Sequence, residues 1–225
     1  MAPAPHGETD LTSVSIPSGG VVLEGDLGRP APARAVVVFA HGSGSSRLSP
    51  RNRFVARVLR QGGLGTLLTD LLTREEEQQE KLTRQLRFDI PLLAERLTAV
   101  VDFMTGTADT RGFAVGLFGA STGAAAALAT AAERPGVIRA VVSRGGRPDL
   151  AAHALPRVRA PTLLIVGERD PVVLDLNRAA LERLPGEKAL TVVPGASHLF
   201  EEAGALEEVA RLAAEWFQRH LPSDT

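Results

Sequence analysis

Three glycine-bearing turns carry residue types that together could cleave an acyl bond. Gly119-Ala-Ser121-Thr-Gly123 is a G-x-S-x-G pentapeptide set between an apolar run, Phe113 to Phe118, and an alanine-rich segment, Ala124 to Ala132. Strand, sharp turn and helix are the setting this motif needs. Glycines at its ends permit the tight turn, and the serine is lifted out at a helix N-terminus where amide dipoles favour developing negative charge. A serine hydroxyl is a weak nucleophile at neutral pH, so it needs a base, and the base needs an acceptor to orient it. Asp170, in Gly167-Glu-Arg-Asp170-Pro, follows the run Thr162 to Val166, and His198, in Pro194-Gly-Ala-Ser-His198, follows Ala189 to Val193. Alone, the pentapeptide would equally suit an N-cap serine between glycines. Ser121, Asp170 and His198 all fall just beyond predicted strands, and that agreement favours catalysis.

Other residues compete for these roles. Glu168 is the reserve for Asp170, while Asp175 is expected inside the following helix. His6 lies near the N-terminus, His153 in a short mixed segment and His220 at the end of a helix, so none shares the placement of His198. Acyl transfer also needs donors for an oxyanion. The amide of Thr122 is one candidate. The loop His41-Gly42-Ser43-Gly-Ser-Ser46, after the run Ala35 to Ala40, offers Ser43, with Gly42 as the alternative. His41 is expected to be bonded into that loop as a structural residue. In Ser143-Arg144-Gly-Gly-Arg147-Pro, Arg144 and Arg147 are candidates for gripping an anionic part of a substrate, although arginines at such turns are more often ion-paired structurally. Arg47, Arg51 and Asn52 are weaker candidates of the same kind.

These turns must be held by a scaffold. Continuous apolar runs (35–40, 113–118, 137–142, 162–166, 189–193) suit strands buried on both faces of a parallel sheet. Weaker runs at 64–69 and 21–27, and an alternating edge-type run at 11–16, bring the expected number to about eight. Ile90, Leu93, Leu97, Val100, Val101 and Met104 mark one apolar helix stripe, and Leu206, Val209, Ala213, Trp216 and Phe217 another. Alternating strands and helices predict an α/β fold with helices on both faces, and place ligands beyond the carboxyl ends of the strands. The polar segment Arg74 to Arg87 is expected to be a solvated helix with i,i+4 charge pairs, a rim over the site being the other role open to it.

Composition narrows the function classes. The 225 residues include no cysteine, which removes disulfides, thiolate metal ligands and a cysteine nucleophile. With 25 Lys and Arg against 26 Asp and Glu there is no basic surplus for nucleic acid. No apolar stretch reaches membrane-spanning length, and the N-terminus lacks a signal-peptide pattern, so a soluble, cytoplasmic protein is expected. With no linker or repeat in view, 1–225 is expected to be a single domain, with 1–9 as a flexible tail. The low aromatic content, 4%, predicts a pocket lined by aliphatic residues and a few Phe such as Phe200.

The order Ser121, Asp170, His198, with the His41-Gly-Ser-Gly loop, resembles that of the α/β-hydrolases. From about Ala35 to Leu221 the chain is similar to their dienelactone hydrolase-like branch. That resemblance implies about eight mostly parallel strands, Ser121 as nucleophile, His198 as base, Asp170 as orienting acid and little or no cap domain. Dienelactone hydrolases commonly use cysteine as nucleophile. Serine at position 121 instead favours ordinary ester hydrolysis. The expected substrate is a small ester or lactone, cleaved without metal or organic cofactor by a monomer or homodimer. The same machinery would serve a dienelactone, a thioester, an amide or an activated phosphotriester, and a non-catalytic ligand-binding role is the alternative of a different class.

Overall fold

The computed structural model describes residues 11–221; the N-terminal tail expected at 1–9 lies outside them. Eight strands form one sheet: β1 (Leu11–Ser18), β2 (Val21–Gly28), β3 (Ala35–Ala40), β4 (Gly65–Thr69), β5 (Ala114–Ala120), β6 (Ile138–Arg144), β7 (Thr162–Gly167) and β8 (Lys188–Val193). The helices are α1 (Pro50–Gln61), α2 (Arg74–Thr83), α3 (Ile90–Gly106), α4 (Thr122–Glu133), α5 (Pro171–Arg183) and α6 (Ala205–His220). The strand order is β1-β2-β4-β3-β5-β6-β7-β8. β1 and β2 run antiparallel at one edge, and β4, β3 and β5 to β8 are mutually parallel. This is the eight-stranded, mostly parallel α/β architecture expected from the sequence.

The central strands are continuous apolar runs because they are covered on both faces. All six residues of β3 are buried. Ala35, Val37 and Phe39 pack toward α1 and α6, whereas Val36, Val38 and Ala40 pack toward α3 and α4. Phe39 and Phe118 meet with ring centroids 4.8 Å apart, and burial of each such side chain contributes about 1.5–3 kcal/mol. The alanines of α4 are nearly all buried, so small side chains let that helix lie close against the sheet and α3.

Two local features differ from the sequence expectation. β6 extends through Arg144, so this arginine occupies the last strand position rather than the turn. The segment 74–87 is not one helix: α2 ends at Thr83, Arg84 takes a left-handed conformation, and a 3-10 turn follows at Leu86–Phe88. A capping box, Thr73 with Glu76, starts α2. The ion pairs seen here leave the helix instead of running along it. Glu76 meets Arg96 of α3 at 2.8 Å, and buried Glu80 binds Arg87.

The path of the chain sets the place of the site. From β3 the chain turns to α1 on one face; from the neighbouring β5 it turns to α4 on the other. Loops leaving adjacent strands in opposite directions open a crevice at the carboxyl ends, the usual ligand position in such sheets.

Candidate active site

Ser121 sits in that crevice on a strained turn. Its backbone has φ 51° and ψ −120°, between the end of β5 and the first turn of α4. A non-glycine residue there persists only when its surroundings over-determine it, and such strain clusters at functional positions. The close approach that holds it requires glycine at 123, where a methyl group would lie 2.3 Å from the Ala40 carbonyl oxygen and 2.4 Å from that of His41. The Ser121 amide donates to the Arg144 carbonyl at 3.2 Å, and the Ser121 carbonyl accepts from the Arg147 amide at 3.1 Å.

His198 and Asp170 come together as their strand-end positions suggested. Nδ1 of His198 lies 2.6 Å from Oδ2 of Asp170, a distance suited to an Nδ1–H donor and a carboxylate acceptor. Asp170 is the N-cap of α5, yet its side chain makes no capping bond and is directed to the imidazole instead. The loop carrying His198 is fixed by its contacts with the end of β7. Gly167 permits the approach, since a methyl group there would stand 2.4 Å from the Ala196 oxygen. The Arg169 amide donates to Ala196, and Glu202 accepts from the Ser197 amide at 3.0 Å. The amide of Ser197 foremost, then the backbone amide of Glu202 itself, the Ser197 hydroxyl and the Arg169 guanidinium hold the Glu202 carboxyl down to about 2. Glu168, the reserve acid, is engaged elsewhere and accepts from the Gly195 amide at 2.7 Å. Asp175 lies in α5, paired with Arg178. Ser121 and His198 line one cavity, with no hydrogen bond between them among the described residues. Such contacts in a ligand-free site are often long and tighten with substrate.

The first loop faces the serine. Ser43 Oγ lies 3.1 Å from Thr122 Oγ1, which ties the loop to the turn holding Ser121. A methyl group at Gly42 would lie 3.0 Å from both the Ala120 oxygen and Ser121 Cβ, so this residue packs directly on the turn. Neither the Thr122 nor the Ser43 amide finds an acceptor among the described residues, so each is free to donate to a bound group. His41 has the structural part expected. Its Nε2 accepts from the Leu71 amide at 3.0 Å while Nδ1 lies 3.0 Å from the Gly42 oxygen, so a neutral ring protonated on Nδ1 serves both.

Two cavities flank the first loop. One of about 230 Å³ is lined by Ser121, His198, Arg144, Arg51, Asn52 and Ser49. The other, about 190 Å³, lies between the loop, α2 and α3, with Leu72, Leu93, Glu80 and Thr122 among its walls. α2 therefore walls a cavity instead of being only a solvated face. Phe200, expected in the pocket, is 1% exposed and belongs to the core, while its neighbour Leu199 takes the lining position. Burial works to raise the Glu80 carboxyl, but Arg87 and the amides of Leu86 and Arg87 outweigh it and hold this group below the ordinary glutamate range.

The arginines separate clearly. Arg147 is gripped by Asp149 through two bonds of 2.8 and 2.7 Å and lies outside the cavity lining, because its near neighbour satisfies it. Arg47 is bound by Asp70 and Asp26. Arg144 does line the cavity, as do Arg51 and Asn52. These last two residues, the weaker candidates from the sequence, sit in the first turn of α1, directly after its Ser49-Pro50 start.

Comparisons with known proteins bear on the family and the fold. A family model described as the dienelactone hydrolase family matches residues 23–221. The chain is 59% identical to a dienelactone hydrolase from Anabaena variabilis of known crystal structure, with a TM-score of 0.93 over 94% of this chain and 98% of that one. Est1E from Butyrivibrio proteoclasticus shares the fold, with a TM-score of 0.78 at 16% identity over 92% of this chain and 98% of its own. Two Mycobacterium tuberculosis proteins named "Putative phosphoribosyl transferase" are 57% identical over 208 residues, 92% of this chain. The chain spans 46% of their length.

Proposed function

The chain belongs to the dienelactone hydrolase family, and from that premise we propose that it is a serine hydrolase of small carboxylic esters or lactones. Ser121 attacks the carbonyl carbon while His198 Nε2 takes the hydroxyl proton. Asp170, bonded to Nδ1, keeps the ring in the right tautomer and steadies the imidazolium. The negative oxygen that develops is held by the amides of Thr122 and Ser43, aided by the N-terminal dipole of α4. His198 then gives its proton to the leaving alcohol, and water activated by the same ring releases the acid from Ser121. Every step uses side chains and amides of this chain and calls for no metal or organic cofactor. We place the enzyme in the cytoplasm, as a monomer or homodimer.

The observation that carries this reading is the 2.6 Å His198–Asp170 bond in the same crevice as a strained Ser121. Phosphoribosyl transfer is the activity named for proteins about twice as long, whereas the residues of this chain favour acyl transfer to water. The test is hydrolysis of p-nitrophenyl acetate and butyrate, with labelling by a fluorophosphonate probe. Ser121→Ala should lower turnover by at least about 10³-fold and abolish labelling. Unchanged turnover in that variant would overturn the assignment, and absence of both hydrolysis and labelling in the wild type would favour a ligand-binding protein.

A further inference from the structure

Arg144 is out of keeping with an ordinary buried arginine. It is 7% exposed, its side chain has no hydrogen bond or ion pair among the described residues, and its Nη1 is buried without a partner. Isolated charges are not normally left in such places, because desolvation is costly unless a counter-charge repays it. Burial, with the Arg51 guanidinium close by, pushes Arg144 down to about 10, so it still carries its charge at neutral pH. Its carbonyl accepts from the Ser121 amide, which puts it one hydrogen bond away from the nucleophile's backbone.

Further unsatisfied groups line the same cavity. Nε of Arg51 and Oδ1 of Asn52 are buried without partners. Ser49 is the N-cap of the twelve-residue α1, so the positive end of that helix also opens here, and Ser45 contributes a hydroxyl. Arg51 is shared at the rim with Glu201 at 3.2 Å, which leaves Arg144 as the uncompensated charge.

We propose that Arg144, Arg51 and the N-terminal turn of α1 form a phosphate subsite beside Ser121, and that the enzyme hydrolyses esters carrying a phosphate monoester group. A carboxylate would be satisfied by the two-pronged face of one guanidinium. Here donors come from separate elements, Arg144 at the end of β6, Arg51 and Ser49 at the start of α1 and Ser45 in the first loop, as several oxygens of a tetrahedral anion require. The Asn52 oxygen can accept from the P–OH of the monoprotonated form. This inference rests on the ester hydrolase reading for the reaction, but the subsite itself can be tested without turnover.

Binding of inorganic phosphate, acetate and malonate to Ser121→Ala is measured by calorimetry and by thermal shift. Phosphate should bind and raise the melting temperature, acetate and malonate should do so roughly 10-fold more weakly or not at all, and Arg144→Gln in the same background should weaken phosphate by roughly 10–100-fold. Without ligand, Arg144→Gln should melt no lower than its parent, because it removes a charge with no partner; a clear loss would mark the arginine as structural and overturn the proposal. Arg51→Gln gives an independent variant and should weaken phosphate by a smaller factor. Equal binding of malonate and phosphate, or phosphate binding indifferent to both substitutions, would also overturn it. In turnover by the wild type, a p-nitrophenyl ester with a phosphate on its acyl chain should show a KM roughly 10-fold or more below its neutral isostere, and Arg144→Gln should remove that ratio. If neutral esters are cleaved through Ser121 without this preference, the subsite fails while the hydrolase reading stands. If phosphate binds but no ester is cleaved, the hydrolase reading fails instead.

Discussion

Asp170 and Glu168 stand two residues apart after one strand, and only their surroundings distinguish them. Asp170 meets His198, while Glu168 accepts from the Gly195 amide and so helps hold the loop that carries the histidine. Asp170→Asn keeps the shape of the side chain but offers the imidazole an amide, which no longer fixes the tautomer or steadies the positive ring. The expected result is a fall in kcat on the order of 10³- to 10⁴-fold with little change in KM, measured with a short p-nitrophenyl ester. The urea midpoint should move little, since this carboxylate caps no helix. A fall of less than about tenfold would shift the role of acid to Glu168. Residue type and strand-end placement made both carboxylates legible as candidates in the sequence; the choice between them depends on which one the turn aims at the ring.

At the scale of elements, the wall formed by α2 depends on a buried carboxylate. Glu80 receives the amide of Leu86 at 2.7 Å as well as the Arg87 guanidinium, and so joins the end of α2 to the 3-10 turn that follows. Its carboxyl titrates below the ordinary glutamate range in the folded chain, so the stability it contributes is complete above that range and is lost as pH falls through the lowered value. Glu80→Gln should therefore be less stable than wild type at neutral pH, and the gap should close in acid. Urea midpoints taken at pH 7 and at progressively lower pH measure it, and a gap that stays constant across the series would contradict the account. The polarity of 74–87 predicted a solvated helix, since the sequence does not reveal that its glutamates pair with Arg96 and Arg87 rather than with neighbours along the helix.

Across the whole molecule, the sheet with its two helical layers keeps the turns in place. Phe217 of α6 is fully buried and packs over Gly116 of β5, where an added methyl group would lie 2.7 Å from the ring. Phe217→Ala should cost about 3–5 kcal/mol of unfolding free energy by urea titration. Where the variant remains folded, its KM should match wild type, because the ring lies in the layer that packs α1 and α6 on the sheet and not in either cavity lining. A changed KM with unchanged stability would contradict this placement.

What the sequence by itself determined follows from local rules. Continuous apolar runs have to be covered on both faces, helical stripes have to meet them, and G-x-S-x-G between such elements has to make a tight turn. The α/β fold, the serine turn and the strand-end positions of Asp170 and His198 were all legible on that basis. Only the tertiary structure decided which polar residues are satisfied. Arg144 and Arg147 lie three residues apart in one motif, yet Arg147 finds Asp149 while Arg144, drawn into the last position of β6, is buried facing Arg51 and Asn52 from a segment more than ninety positions earlier. No local pattern records that meeting, because it arises where the start of α1 and the ends of β5 and β6 line one cavity. The charge left unpaired there is what carries the proposed phosphate subsite beside Ser121.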